Sequence, residues 1–562
     1  MKLILSSILI FTYINLSSQS INLNENFINN YLRSQQIAGN LDLNSSFTLL
    51  PLNSNILSEN NIKNYKFNIL SNKKETLFIG LLPIDYILEF NSKHPYNRNN
   101  GSMIPNRGYQ HIISLGLIAK IGPLHVEIKP EHHYSENRNF QGFWDDHYPE
   151  IWLKRYELWN RIDTPERFGN KSHNNLLAGQ SSIKLKFGKI ELGISNKNIW
   201  WGPSKRNSIM MSNHARGFKH ITLNSSSPMK TSIGNFEWQV ITGRLEPSFF
   251  TPPRTDFLYN GRKIYVPKIN QRAEENDWRY LQAYTLTFSP KWIEGLHIGY
   301  IRWVQMYRAL VEGGYPWLKG NPTYFPAFSN IFRKNDKFKD YEEQTDQAAG
   351  LFLRWLWEES NFEIYAEFHY NDAKQNLRDL ILDSDHSRAS TLGFEKVFNK
   401  KNNDNFYSFS WEWTQMEQTA GRLLRSASSW YMHGFVYHGY TNNGEVLGSS
   451  IGPGSNSHFF SIKKFLGRSQ YEIALEIIDN DNDFYYEAFE SAKDFRRYWK
   501  DINFHLSYNN IFNKFWFSGN IVYSRNLNYQ WGLDDSAVEP YYRPGIDMNN
   551  FHSTLKLTYF FD

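Results

Sequence analysis

The last eleven residues constrain this chain more than any other segment. Phe551, Ser553, Leu555, Leu557, Tyr559 and Phe561 share one face of an extended strand, and His552, Thr554, Lys556 and Thr558 share the other. Such a strand needs one apolar and one wet side. The pattern recurs: Tyr471, Ile473, Leu475 and Ile477 alternate with Glu472, Ala474 and Glu476, and Tyr407, Phe409, Trp411 and Trp413 with Ser408, Ser410, Glu412 and Thr414. Phe362, Ile364, Ala366 and Phe368, then Ile183, Leu185 and Phe187, and Ile502, Phe504, Leu506 and Tyr508 repeat it. Counting segments predicts about eighteen strands, near 76–89, 110–119, 123–130, 179–187, 189–198, 218–226, 235–244, 280–288, 295–305, 347–357, 362–370, 389–398, 406–416, 457–463, 470–478, 502–508, 515–523 and 551–561. Their connections alternate between short (Gly188, Lys120–Gly122, Lys464–Ser469) and long (Met306–Asp346, Glu417–Asn456, Arg525–Asn550). An even strand number, short turns at one end and long loops at the other describe an all-β, transmembrane antiparallel β-barrel with its C-terminus in the periplasm. The terminal aromatic strand also resembles the signal read by barrel insertion machinery.

Composition separates this fold from a large soluble all-β enzyme. Aromatics make up 17% of the 562 residues, with 18 Trp, 34 Tyr and 41 Phe, yet the mean hydropathy is −0.57. Barrel strands with one lipid face, one wet face and aromatic girdles give both values together. The absence of Cys suits transit through an oxidising periplasm and excludes thiol nucleophiles and zinc–thiolate or iron–sulfur sites. A net charge of +5, scattered along the chain, does not argue for nucleic acid.

The N-terminus reads as an export signal over 1–18. Lys2 precedes the apolar run Leu3–Leu16, and Ser17-Ser18-Gln19-Ser20 offers cleavage after Ser18 or Ser20. Residues 20–75 lack the barrel pattern. Phe27, Ile28, Tyr31 and Leu32 fall at helical spacing within Ile21–Ile37, with Asn24 as an N-cap and Gly39 as a stop, so this region is expected to be a small periplasmic element at the lower mouth. The barrel is then 76–562. Trp430–Tyr440 has room for one further extended segment.

Several short motifs stand in a fixed order: Tyr96-Asn97-Arg98-Asn99-Asn100-Gly101, Met103-Ile104-Pro105-Asn106-Arg107-Gly108, Gly122-Pro123-Leu124, Lys129-Pro130-Glu131, Trp200-Trp201-Gly202-Pro203, Asn207-Ser208, Met211-Ser212-Asn213, Tyr437-His438-Gly439-Tyr440 and Ile451-Gly452-Pro453-Gly454. Together they resemble the Wzi capsule-assembly family, from about residue 25 to the C-terminus. The resemblance implies an eighteen-stranded outer-membrane barrel with a small helical periplasmic part, acting as a lectin that holds capsular polysaccharide on the cell surface. Ser204 stands where the family usually has Gly, and Arg216 where Pro is more usual, which leaves the glycan open. It could be a capsule or another surface polysaccharide.

Sugar binding needs flat apolar faces and forked polar groups. Trp200 and Trp201 could stack on sugar rings, Arg206 and Arg216 could pair with acidic sugars, and Asn213 could read hydroxyls; the other reading places both Trp in an aromatic girdle. Asp479-Asn480-Asp481-Asn482-Asp483 begins like a calcium loop, with Glu490 twelfth, but Phe484 occupies the sixth position where Gly is required, so a solvated external loop is expected. Glu363, Glu367, Glu412, Glu472 and Glu476 are expected to line the lumen, paired with one another or with Lys184, Lys186 or Lys556. No His-Glu-x-x-His, Gly-x-Ser-x-Gly or phosphate loop is present, and His132-His133 lacks metal spacing. No catalytic residue, metal or cofactor is therefore assigned. The expected function is non-enzymatic polysaccharide binding in the outer membrane, with surface polysaccharide, membrane lipid and the insertion machinery as partners. A channel or transporter is the alternative, and an outer-membrane hydrolase is further off.

Overall fold

Period-2 segments become strands because each leaves a row of backbone donors and acceptors that only a neighbouring strand satisfies in a bilayer, and closing the sheet removes the last edges. The computed structural model describes residues 20–561 except 22, 24–25, 42–44, 55, 58–61, 63–66, 73–75, 255–257, 264–277, 313–324, 329–343, 372–376, 399–404, 419–426, 490–497, 533 and 535–544. The export signal, the Asn24 cap and Glu490 lie outside the described residues. The chain forms a closed antiparallel barrel of eighteen strands. They are β1 (Leu77–Asn91), β2 (Gly108–Ile121), β3 (Leu124–Ile128 and Glu131–Ser135), β4 (His173–Leu177 and Ser182–Phe187), β5 (Ile190–Ser195), β6 (His220–Ser225), β7 (Gly234–Leu245), β8 (Arg279–Pro290), β9 (Leu296–Tyr307), β10 (Asp346–Trp357), β11 (Phe362–Asn371), β12 (Arg388–Phe398), β13 (Asn405–Gln415), β14 (Asn456–Leu466), β15 (Ser469–Asp479), β16 (Lys500–Ile511), β17 (Phe515–Leu527) and β18 (Met548–Tyr559). Every segment expected from alternation is one of these strands. The barrel closes where β18 pairs with β1, Tyr559 opposite Ile84 and His552 opposite Asn91. Below that seam the short strand Phe67–Ser71 takes over the edge of β1, Phe67 facing Leu81.

Two irregularities fall where proline removes a donor. The register of β1 slips between Leu82 and Asp85, around Pro83, and β3 breaks at Lys129-Pro130. Ile113, Leu115, Leu117, Ile194, Ile473 and Leu506 point outward and are exposed, while inward neighbours such as Ser114, Ser195 and His505 are buried and polar.

The lumen is occupied at three levels. At the turn end, helix α1 (Asn26–Ile37) packs Ile28 and Leu32 with Ile511, Trp516 and Phe560, and Ile37 with Leu356, Val397, Phe406 and Phe465. Gly39 ends it at φ 69°, donating to the Gln36 carbonyl while Asn40 donates to Gln35. At mid-height the β5–β6 connection, 196–219, folds inward rather than projecting outward. Its Trp200–Trp201 pair forms a two-residue sheet with Leu49–Leu50. Above, residues 427–455 cross the barrel. Tyr440 stacks on Trp303 with centroids 4.0 Å apart, and Arg279 donates to the Gly439 carbonyl at 2.6 Å.

Two expectations are corrected here. Trp430–Tyr440 holds no extra strand; the only pairing nearby is a small hairpin, Thr441–Asn442 with Glu445–Val446. The Asp479–Asp483 stretch is not a solvated loop. It opens helix α3 (Asn482–Phe489), where the Asp481 carboxylate accepts the Phe484 N–H and buried Asp483 accepts from Gln418 and Ser429. Short acidic side chains near helix starts serve backbone donors as readily as they serve a cation. Helix α3 packs on α2 (Pro149–Trp159) around Phe143, Trp152, Phe484 and Trp531, capping the loop end.

Candidate functional site

The inward connection is built around one carboxylate. Glu412 on β13 accepts the backbone N–H groups of Lys205 at 2.8 Å, Arg206 at 3.1 Å and Asn207 at 2.8 Å, and the Tyr365 hydroxyl at 2.9 Å. A lumen-facing glutamate thus satisfies three consecutive donors that the turn at Gly202-Pro203 leaves unpaired. Beside it, Arg206 Nε donates to Glu476 at 3.0 Å and its Nη2 to the Tyr96 oxygen at 2.7 Å, while Tyr96 donates to Glu476 at 3.0 Å. Burial pulls the Arg206 guanidinium down, but the charges of Glu476 and Tyr96 more than reverse this and hold it above the ordinary arginine range; burial lifts the Tyr96 phenol. Lys205 bridges Glu363, at 2.6 Å, and Glu395. From below, Arg33 on α1 reaches Glu363 at 3.0 Å and the Pro203 carbonyl at 2.6 Å.

The lumen glutamates therefore have partners other than those expected. Glu363 pairs with Arg33, Arg354 and Lys205, Glu367 with Ser204 and His369, and Glu476 with Arg206. Glu472 accepts from Ser461. Lys184 and Lys186 instead pair with Glu191 on the neighbouring strand. Lys205 and Arg206 of the inserted segment are desolvated and take the nearest carboxylates, Glu363, Glu395 and Glu476, while Arg354, Lys184 and Lys186 pair with carboxylates on neighbouring strands.

The motif segments, hundreds of residues apart, meet in this knot. Asn99 donates to the Arg206 carbonyl at 2.8 Å, Asn213 to the Asn99 carbonyl at 3.1 Å, and Gly101 to the Asn213 carbonyl at 2.9 Å. Asn97 donates to Glu445 at 2.8 Å and Arg98 to the Ser450 carbonyl at 2.7 Å. The expected sugar-binding set is thus brought together, but inside the protein. Trp200 and Trp201 are 4% and 0% exposed and donate their indole N–H groups to Ser204 and Gln239. Neither ring offers a face to a sugar, which corrects the stacking role, and neither belongs to a girdle. Asn213 is buried, Arg206 is held by Glu476, and Arg216 donates to Asn443. Beside Arg206 lies a polar cavity of about 160 Å³ under the 92–107 loop, lined by Tyr96, Arg98, Asn100, His552 and Lys556.

Surface chemistry suited to a glycan sits instead on the loop end. Arg167 lies over the Phe140 ring at 5.7 Å and donates to Asn139 and to the Asn137 carbonyl. Arg107 donates to the Asn139 carbonyl at 2.5 Å, and the Arg138 side chain, 55% exposed, pairs with Glu136 at 2.9 Å. Asn137, at φ 48°, fixes the turn by donating to the Phe168 and Gly169 carbonyls, and Phe250 packs on Phe168 with Phe249 exposed beside it. One guanidinium over an aromatic ring, with Arg107 on the adjacent Asn139 carbonyl and Arg138 exposed on Glu136, combines stacking with forked donors. Sequence reasoning passed over these residues; their signal was the basic–aromatic run Arg138-Asn139-Phe140 in a long loop. Among the described residues no group of three His, Asp or Glu side chains is placed to hold a metal ion.

A barrel with an apolar outer face, short turns at one end and a lumen packed with its own loops is an integral outer-membrane protein of the filled, not the open, kind. The family model of capsule assembly protein Wzi matches residues 93–500, and the chain belongs to that family. No curated protein matches it. Among solved structures, it is similar to Wzi from Escherichia coli, described as a carbohydrate-binding β-barrel involved in group 1 capsule assembly. The two are 11% identical over 96% of this chain and 98% of that one, with a TM-score of 0.55. Acinetobacter baumannii OccAB2 superposes more weakly, with a TM-score of 0.39 at 9% identity over 85% of this chain and 98% of that one.

Proposed function

We propose that this protein binds a surface polysaccharide without transforming it, and so helps assemble and retain a capsule or exopolysaccharide on the cell. Family membership and the carbohydrate binding described for the Escherichia coli relative support the ligand class. The observation that carries the reading is the loop-end cluster in which Arg167 lies over the half-buried Phe140 ring, Arg107 holds the Asn139 carbonyl and Arg138 is exposed, which brings an aromatic ring and charge-bearing forks to the side where such a polymer lies. The filled lumen favours this reading over a channel or transporter.

The test is retention and binding together. A strain lacking the gene is expected to shed polysaccharide into the medium, and purified protein is expected to bind that polysaccharide and return it chemically unaltered. Arg138→Ala with Arg167→Ala should weaken binding about tenfold or more, the loss of two exposed charge-assisted contacts. Unchanged retention in the deletion strain, or shortening of the polymer by the purified protein, would sink the reading.

A further inference from the structure

Glycines within the barrel strands have a common cause, with one exception. At Gly80, Gly108, Gly116, Gly193, Gly234, Gly243, Gly299, Gly350 and Gly393 an atom lies within 3.0 Å of where a Cβ would stand, so neighbouring groups demand the missing side chain. Gly519 on β17 is different. Its φ is not left-handed, and the nearest atoms to a Cβ are those of the Phe517 ring at 3.4 and 3.5 Å, which is ordinary contact. Neither backbone nor packing within the described residues calls for glycine there, although glycine weakens a strand interior.

Gly519 faces the membrane, on the side of Phe517 and Ile521, with Trp516 and Val522 buried on the other face. Diagonal to it is Ser553, opposite Ile521. These two small residues floor a depression of about 700 Å³ in the outer wall, whose rims are Tyr471, Leu506, Tyr508, Phe517 and Leu555. Chemistry changes along one row of directly opposed residues, Leu88, Leu555, Gly519, Tyr508 and Tyr471 lining the groove and Lys464 standing next, just past its edge. Tyr471 and Tyr508 have ring centroids 4.9 Å apart. Lys464 projects outward two residues from the end of β14, next to the turn at Gly467. Its ammonium lies 5.6 Å from the Tyr407 ring centroid and makes no ion pair among the described residues. An outward cation on a barrel strand is unfavourable unless it lies at the membrane interface and meets an anion. Apolar walls over a floor of small residues, phenol hydroxyls, then an ammonium is the order in which a glycerophospholipid presents acyl chain, ester and phosphate.

We propose that this groove is a binding site for one glycerophospholipid of the periplasmic leaflet, its acyl chain lying over Gly519 and Ser553 and its phosphate on Lys464. The short turns and C-terminus mark this end as periplasmic. A second copy of the chain would need a ridge to fill the groove and an anion to meet Lys464, whereas the lipid supplies both and already surrounds this face.

The test uses the full-length protein extracted in mild detergent and titrated with phosphatidylglycerol, with phosphatidylcholine alongside, in native mass spectrometry. Wild type is expected to hold one phosphatidylglycerol molecule. Gly519→Phe and, separately, Ser553→Phe should weaken it about tenfold, as a ring displaces two or so methylenes of chain contact. Lys464→Gln should abolish the preference for phosphatidylglycerol while leaving chain binding. Folding of each variant is checked by heat-modifiable gel mobility. Equal retention by wild type and both groove-filling variants overturns the site. So does a lipid-free dimer that dissociates in Gly519→Phe, which would assign the groove to a second copy.

Discussion

Arg206 and Glu476, 270 residues apart in sequence, meet at 3.0 Å inside the barrel and tie the inserted connection to the wall. Glu476 is fully desolvated there, with a side chain 1% exposed against 24% for Arg206. Removing the arginine strands the carboxylate, which costs about 3 kcal/mol or more, whereas removing both charges is far milder. Arg206→Met is therefore expected to lower the temperature at which boiled and unboiled gel mobilities converge, and the double variant with Glu476→Met should recover much of the loss. A double variant no better than the single one would show that the pair does not act as a unit.

The same packing predicts electrical silence. Helix α1 is held from the wall by Arg33 to Glu363 at 3.0 Å and by Ser34 to Glu395 at 2.9 Å. Purified wild type in planar bilayers should give no discrete conductance steps, and Arg33→Ala, which frees the helix from Glu363, should give intermittent ones. Regular steps from wild type would contradict a filled lumen.

Gly202 tests the inner turn. Its φ is 99°, and a Cβ there would land on the Glu367 carboxylate that holds Ser204. Gly202→Ala is expected to destabilise the barrel by about 2 kcal/mol or more through left-handed strain and that collision. Limited proteolysis within 200–213 is the sensitive measurement, since the turn is otherwise buried.

Glu445, in the hairpin above the knot, supplies a pH dependence. Burial pushes its carboxyl up to about 8, against the smaller opposing influence of Asn97 and Arg216. A raised carboxyl means that the folded state holds a proton which the unfolded chain releases near 4.5, so stability is full below that value and declines as pH rises towards 8. Glu445→Gln, which keeps an acceptor for Asn97, should remove the decline and stabilise the protein at pH 9 by an amount on the order of 2–4 kcal/mol. Melting temperatures of both proteins from pH 5 to pH 9 decide it; parallel curves would assign the proton elsewhere.

Strands were legible in the sequence because alternation is a local property. Phe551 to Phe561 states its two faces whatever surrounds it, and loop parity then orders the strands and closes the count at eighteen. The path of the loops was not legible. Trp200, Trp201, Arg206, Asn213 and Arg216 read equally well as an exposed sugar platform or as the core of an inserted segment. What chose between them was Glu412, Glu363 and Glu476 on distant strands, whose desolvated carboxylates attract the connection inward. Exposure of Arg138, the placing of Arg167 over Phe140, and the open space at Gly519 likewise depend on neighbours that no local pattern names. The sequence by itself determined the barrel, because each strand carries its own lipid and lumen faces. Only the tertiary structure decided which polar residues face outward, because burial of a charge is settled by the partner it finds across the lumen.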